Sequence, residues 1–314
     1  MNFEILINFQ RKIRASLSFI SNKSEKLNKS DLKLIDEVGN MANNLMNKNS
    51  KHYKKTHVIF SNEVLNIILK KKLKNFLKRS FIQKMFFVHN RLFLMSYLNE
   101  IKKNIKWKLW KILLKENNIG SPIKYFLSPF TSGNKIFQTF HLMKFHEYTK
   151  NNIKNYDFIL EFGGGYGNMC EMFNRIRKGK HYVLFDTPEV NLLQYYYLKR
   201  NKIKVGFNAN DKNKVLLMNS LLELKKLMLR HKNKKKLFIA NWSLSETPLS
   251  FRKEMKFIFE AFDYQLISFQ NNFENINNLK YFKKLNKFNI KKKRKSILIP
   301  VKKLRENNYL FSKI

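Results

Sequence analysis

The chain is poor in several residue types, and each shortage excludes something. One cysteine in 314 residues rules out an internal disulfide, and no Cys/His cluster has zinc-ligand spacing. A reducing, cytoplasmic setting without a structural metal is therefore expected. No apolar run reaches the length of a membrane span, and Met1 to Gln10 carry Glu4 and polar breaks where a signal peptide needs unbroken apolar residues. Acidic residues number 22 against 63 basic ones. Glycine is also scarce, with nine in all, yet four of them stand together at 163, 164, 165 and 167.

The formal charge of +41 suggests a polyanion such as RNA or an anionic membrane surface. Only 11 of the basic residues are Arg and 52 are Lys, whereas guanine readout and bidentate phosphate clamping favour Arg. A Lys-rich bias along the whole chain, with abundant Asn, Ile and Phe, accounts for much of the charge. Local peaks occur at Lys70 to Lys74, Lys232 to Lys236 and Lys291 to Lys295, and read first as solvated loops or helix ends. At 44% hydrophobic the chain can bury a substantial core, in one large or two modest domains.

The glycines sit in Tyr156-Asp-Phe-Ile-Leu-Glu-Phe-Gly-Gly-Gly-Tyr-Gly167. Phe158, Ile159 and Leu160 form a run suited to a strand buried on both faces, and the glycines let the backbone turn sharply and approach a ligand. Met169, Met172, Phe173 and Ile176 then recur at helical spacing. A dinucleotide fingerprint counted from Gly163 demands glycine at 168, where the chain has Asn168. The segment instead fits Glu161-x-Gly163-x-Gly165-x-Gly167. A carboxylate beside the turn favours a cationic ligand over a pyrophosphate. Tyr182-Val-Leu-Phe-Asp186 follows, with Asp186 lying 23 residues after Gly163 at a strand end. Thr187 is placed to cap a helix that has Pro188 at its first position. Cys170 reads as a small core residue on the first helix.

Residues 62 to 117 are nearly free of glycine and proline, and their apolar residues repeat at helical intervals. They mark a helical N-terminal region, 1–120, separated by Gly120, Ser121 and Pro122 from a second domain, 121–314. A loop near 128–135 is expected to lean over the ligand, and a helix is expected from Phe137 to Tyr148. Beyond Asp186, strands are expected at Lys204 to Phe207 or Val215 to Met218, at Leu237 to Ala240, at Gln265 to Phe269, and as an end pair at 296–300 and 309–312. Helices are expected over Leu221 to Leu229, Phe251 to Phe262 and Leu279 to Leu285. Strands alternating with helices predict an α/β fold with a mostly parallel, doubly wound, Rossmann-like sheet and a ligand at the strands' carboxyl ends. There the fourth strand runs into the polar cluster Asn241-Trp-Ser-Leu-Ser-Glu-Thr-Pro248, which also reads as a helix cap before Phe251.

Glu161 with its spaced glycines resembles motif I of the class I S-adenosylmethionine-dependent methyltransferases. Leu160 to Gly167, Phe185-Asp-Thr-Pro-Glu-Val, Gln194-Tyr-Tyr-Tyr-Leu and Trp242-Ser-Leu-Ser-Glu together look like the sugar O-methyltransferases found with bacterial surface-polysaccharide genes. The resemblance spans about 125 to 314 and includes Ser132 to Phe145, while residues 1 to about 115 match no motif. Thr187 and Thr247 stand where that family has Leu and Met.

The resemblance implies S-adenosyl-L-methionine as cofactor, held by Glu161, Gly163, Gly164, Gly165, Tyr166, Gly167, Asp186, Thr187, Asn241 and Ser243, with Asp186 on the ribose hydroxyls. It implies methyl transfer to a sugar hydroxyl of a free, nucleotide-linked or lipid-linked acceptor. A general base is then needed, first Glu246, with His141 and His146 behind it. A lone His among Phe140, Leu142 and Phe145 reads more readily as structural. The rival function is an RNA or other nucleic-acid methyltransferase, carried by the basic clusters and by stacking aromatics. A third is a binding protein without catalysis. The lysine-rich N-terminal region is expected to serve acceptor recognition or dimerisation into a homo-oligomer, and its helices to approach the inner membrane surface.

Overall fold

The structure, a computed structural model, describes residues 26–46, 55–86, 91–177, 179–210 and 212–314. The reading of Met1 to Gln10 lies outside these described residues. The chain divides into two compact units, Met1–Met143 with Leu192–Asn201, and Lys144–Asn191 with Lys202–Ile314.

The first unit is mainly helical: α1 Lys29–Met46, α2 Lys55–Leu69, a 3-10 turn Leu73–Lys78, α3 Ser80–Met85, α4 Leu94–Lys103 and α5 Trp107–Leu114. Helix α4 forms because Leu94, Tyr97, Leu98 and Ile101 recur on one face, and all four are buried. Tyr97 stacks on Phe140 with ring centroids 3.8 Å apart. Gly120 adopts φ +74°, and a Cβ there would stand 2.2 Å from the Phe76 ring, so only glycine ends this helical run.

Residues 128–135 are not the loop the sequence suggested. Ser128–Ser132 form β2, paired antiparallel with β1, Lys124–Tyr125, and the Glu116 amide donates to the Phe130 carbonyl at 3.0 Å. The chain then enters α6, Gly133–Thr149, four residues earlier than its apolar spacing indicated.

The second unit is built on an eight-stranded sheet. Its strands are β3 Phe158–Phe162, β4 His181–Phe185, β5 Val205–Gly206, β6 Val215–Met218, β7 Lys236–Asn241, β8 Tyr264–Gln270, β11 Lys295–Pro300 and β12 Asn307–Lys313. The spatial order is β11-β12-β8-β7-β3-β4-β6-β5. Six strands from β5 to β8 run parallel, and β12 and β11 close one edge antiparallel. A short pair, β9 Asn272–Phe273 with β10 Ile276–Asn277, stands apart from the sheet. Both candidates for the third strand are realised, β5 as a two-residue edge and β6 as its four-residue neighbour.

The helices that follow in the chain are α7 Asn168–Ile176, α8 Pro188–Arg200, which belongs to the first unit from Leu192 onward, α9 Leu221–Arg230, α10 Leu249–Glu254, α11 Lys256–Ala261 and α12 Asn278–Lys291. The single helix expected over Phe251 to Phe262 is two, because Met255 leaves helical geometry at φ −77°, ψ 1° and buries its side chain. Leu160, Val183, Phe238, Ile267 and Leu310 from neighbouring strands share one core with Met255 between α10 and α11 and with Ile258 and Phe282 from the covering helices. This is a Rossmann-like, doubly wound α/β sheet. From β3 the chain moves outward through β4 to β6 and β5, then returns to the other flank of β3 as β7. The carboxyl ends of β3 and β7 thus frame the topological switch point, where such sheets bind ligands.

Candidate active site

All five residues of β3 are buried, and it pairs in parallel with β4 and β7, which fixes the turn that follows it. The Gly163 amide donates to the Phe185 carbonyl at 2.9 Å, so the turn starts as an extension of the sheet. Gly163, Gly165 and Gly167 adopt φ of +67°, +57° and +91°. A Cβ on Gly163 would lie 2.2 Å from Ser243 Cβ, and one on Gly164 would lie 2.2 Å from a Leu184 methyl. The turn therefore needs glycine for both its dihedrals and its close packing. Gly167 caps α7, which leaves with Met169, Cys170, Met172 and Phe173 buried. Tyr166 is also buried within the turn.

Beneath the turn lies Glu161, which is 4% exposed. The Tyr182 hydroxyl donates to its Oε2 at 2.7 Å from the adjoining strand. Burial pushes the Glu161 carboxyl up to about 8, against the lowering effect of that hydrogen bond and with a smaller upward push from Asp186. At neutral pH it holds a proton that a bound cation would displace.

Asp186 follows β4 directly, half-buried, with its amide donating to the Met218 carbonyl at 3.0 Å. The Thr187 amide donates to Asp186 Oδ1 at 3.0 Å, which fixes the carboxylate at the strand end. The Thr187 hydroxyl lies 3.5 Å from the Val190 amide in the first turn of α8, the capping position read from the sequence.

On the other flank, β7 ends in Asn241. The Ser268 hydroxyl donates to Asn241 Oδ1 at 2.9 Å, while Asn241 Nδ2 is buried and has no hydrogen-bond partner. An amide donor left in this way costs about 1–3 kcal/mol unless a ligand accepts from it. Trp242 adopts φ +63°, ψ −32°, a conformation worth about 1–3 kcal/mol of strain for a non-glycine residue. Its ring nitrogen donates to Asn307 Oδ1 at 2.7 Å, and its amide donates to the Ser268 carbonyl at 2.8 Å. These bonds hold the reversal that brings the Ser243 hydroxyl onto the Phe162 carbonyl, next to the glycine turn.

The 3-10 turn Ser243–Glu246 presents Glu246, whose carboxyl burial pushes up to about 7 despite a hydrogen bond from the Gln270 amide. Gln270 is itself oriented by Ser245, whose hydroxyl lies 2.7 Å from Gln270 Oε1. Under the turn Arg252 is 1% exposed. Its guanidinium donates to the Ser245 and Thr247 carbonyls at 2.8 and 3.0 Å and to Asn278 Oδ1 at 2.9 Å, and it lies over the Tyr281 ring. Burial lowers Arg252 to about 10, so it stays charged at neutral pH while satisfying loop carbonyls.

The structure thus brings Glu161, Gly163 to Gly167, Asp186, Thr187, Asn241, Ser243 and Glu246 to the carboxyl edge of adjacent strands. His146 is not at that edge. His146 accompanies the sheet's other end, where its Nδ1–H donates to the Asn151 carbonyl at 2.7 Å and Lys235, just before β7, holds the Asn151 side chain at 2.9 Å. His141 belongs to the first unit, fully buried with its ring 4.3 Å from Phe137, and burial lowers it to about 3. Such an imidazole is neutral at every working pH and has the character of a core residue, as its apolar neighbours suggested.

Sequence reasoning missed Tyr182, Gln270 and Arg252. Tyr182 left a trace, as the one residue with a polar tip inside an apolar strand. Gln270 and Arg252 left none, because their role depends on how β8 and α10 pack beneath a turn remote in sequence. Among the described residues no group of three or more His, Cys, Asp or Glu is placed to hold a metal ion. No helix among them is long and apolar enough to cross a membrane.

No family model matches the chain, and no curated protein matches it. Solved structures similar to it include the methyltransferase domain of bacterial CtHen1, at 10% identity over 55% of this chain and 96% of that one, with a TM-score of 0.41. A precorrin-6y C5,15-methyltransferase from Geobacter metallireducens is 10% identical over 56% of this chain and 87% of that one, with a TM-score of 0.37. An O-methyltransferase from neocarzinostatin biosynthesis, in complex with S-adenosyl-L-homocysteine and 1,4-dihydroxy-2-naphthoic acid, is 10% identical over 57% and 58% of the two chains, with a TM-score of 0.34. At such identity and overlap none of these activities passes to the present chain.

Proposed function

We infer that the second unit binds S-adenosyl-L-methionine and transfers its methyl group to a sugar hydroxyl, in the biosynthesis of a bacterial surface glycan. The observation that carries the cofactor reading is a pair of carboxyl groups on adjoining strands, separated by a turn that only glycine can occupy. Glu161 is a buried carboxyl suited to an ammonium, and Asp186 is a fixed carboxylate suited to accept from two vicinal hydroxyls. The unpartnered Asn241 amide supplies a donor on the opposite flank. A dinucleotide fits less well, since Asn168 stands where the third glycine of its fingerprint is needed.

When bound, the cofactor supplies an electrophilic methyl on a sulfonium. Glu246 would take the proton of the acceptor hydroxyl, whose oxygen would gain the methyl as the carbon–sulfur bond breaks and S-adenosylhomocysteine leaves with the electron pair. Its raised carboxyl, near 7, suits a base that must be ionised yet able to keep a proton at neutral pH. Gln270 and the Ser245 hydroxyl hold that carboxyl in orientation, and Arg252 holds the turn. Positioning of this kind can account for much of the acceleration of a displacement reaction. The sugar acceptor rests on the motif resemblance.

The deciding experiment supplies purified protein with methyl-labelled S-adenosylmethionine and fractionated cell-envelope extract. Label in a nuclease-resistant glycan fraction supports the reading. Label only in RNA moves the acceptor to nucleic acid, and cofactor binding without any transfer makes the chain a binding protein.

A further inference from the structure

A second concavity lies wholly within the first unit, and the methyl-transfer reading does not use it. The chain reverses after α2 through Lys70, Lys71 and Lys72, with Lys71 in the left-handed region at φ +52°. The 3-10 turn that follows is kinked at Asn75 (φ −121°, ψ 36°) and carries Lys78 and Arg79 back toward α2. The result is a cavity of about 480 Å³ whose walls include Lys70, Lys72, Lys78 and Arg79, one acid, Glu63, and the apolar side chains of Ile67 and Phe81. That volume lies within the range of small-molecule sites.

Lys70, Lys72 and Arg79 share a concavity whose described walls carry one carboxylate, Glu63, and like charges held together repel one another, a cost that an anion removes. Lys71 shows the contrast, since it points away and pairs with Asp36 at 2.6 Å. Lys70 and Lys72 make no ion pair among the described residues. Arg79 goes further, because its Nε is shielded from water and has no hydrogen-bond acceptor. A buried guanidinium N–H without an acceptor is costly, and a phosphoryl oxygen satisfies it with a charge-assisted bond. Ile67 is buried and Phe81 half-buried, so the wall also offers an apolar surface for an organic body.

We propose that this cavity binds a phosphorylated small molecule of the nucleoside diphosphate class. Its phosphoryl groups meet Lys70, Lys72, Lys78 and Arg79, and its ring system lies against Ile67 and Phe81. The proposal is independent of methyl transfer and stands or falls on binding alone.

The test is calorimetry on the full chain saturated with S-adenosylhomocysteine, so that a nucleoside cannot report from the glycine turn. Uridine diphosphate, inorganic pyrophosphate and uridine are titrated separately. Uridine diphosphate is expected to bind more tightly than pyrophosphate, with no heat from uridine. Arg79→Ala, and separately the exposed pair Lys70→Ala with Lys72→Ala, should each weaken it by about tenfold or more, the worth of one or two charge-assisted bonds. The lysine pair is exposed, so its loss does not threaten folding. No heat from either phosphate compound overturns the proposal, as does binding that both variants leave unchanged. Equal affinity for pyrophosphate and uridine diphosphate removes the ring contact and overturns the nucleoside class. Displacement by an RNA oligonucleotide with a steep salt dependence replaces it with a nucleic-acid surface.

Discussion

The Tyr182 hydroxyl donates to Glu161 Oε2 at 2.7 Å across the β3–β4 pair, beneath a turn in which a Gly164 Cβ would come within 3.1 Å of the same oxygen. The carboxyl is thereby fixed and dehydrated at once. Its folded value, about 8, lies above its ordinary 4.5, so between those limits the folded protein holds a proton that the unfolded chain releases. The stability linked to this group is full on the acid side and is lost as pH rises through about 8. Without ligand, the melting temperature of the native protein should fall more steeply between about pH 4.5 and 8 than that of Glu161→Gln, whose side chain does not titrate. S-adenosylmethionine binding near neutral pH should release a proton, detected as a buffer-dependent heat. A variant and native protein with parallel pH profiles would remove Glu161 as the cation's partner.

Gly163 and Ser243 form a steric pair. Gly163→Ala puts a Cβ at 2.2 Å from Ser243 Cβ and a side chain on a backbone at φ +67°. Left-handed geometry costs alanine about 1–2 kcal/mol, and the overlap adds about 1–3 kcal/mol. The single variant should lower stability and abolish cofactor binding. Adding Ser243→Gly relieves the overlap but not the dihedral, so thermal denaturation should show partial recovery. Full recovery would mean that the turn tolerates a side chain.

Much of this unit was legible in the sequence because its signals are local. An apolar triplet, clustered glycines in a glycine-poor chain, an amphipathic helix and a strand ending in Asp186 each follow from residues a few positions apart. The helix split at Met255 was not, nor in the first unit was the strand at 128–132, since one depends on a side chain seeking the core and the other on pairing with β1. Glu246 was readable as a polar residue at a strand end. Its supports, Gln270 and Arg252, come together only through tertiary packing, and sequence proximity to the motif likewise did not place His146, which stands at the sheet's other end.

Asp186 accepts from the Thr187 amide through Oδ1, so its position does not depend on ligand. Asp186→Asn keeps the shape but replaces a charged acceptor with a neutral one, and Asp186→Ala removes it. Charge-assisted bonds are worth about 1.5–3 kcal/mol, so Asp186→Ala should weaken S-adenosylhomocysteine by about tenfold or more, with Asp186→Asn between it and the native protein. Calorimetry reads both. Unchanged affinity in Asp186→Ala would place the adenosyl group elsewhere.

Glu246 and Arg252 separate chemistry from support. Glu246→Gln should keep cofactor affinity and lose turnover, and native turnover should rise with pH through about 7 as the carboxyl ionises. Among the described residues the Arg252 guanidinium meets loop carbonyls, Asn278, Thr247 and two rings, so it acts through the turn. Arg252→Met removes the donor of the Thr247 carbonyl and leaves the Ser245 carbonyl with the Asn278 amide alone, a cost of about 1–3 kcal/mol for a buried group. Its melting temperature should fall, and at a temperature where the variant remains folded the turnover midpoint should shift from about 7 as Glu246 becomes more hydrated. Glu246→Gln should instead leave no midpoint to shift. An Arg252→Met enzyme with lowered stability and an unmoved pH midpoint would confine Arg252 to folding and leave Glu246 to be held by Gln270 alone.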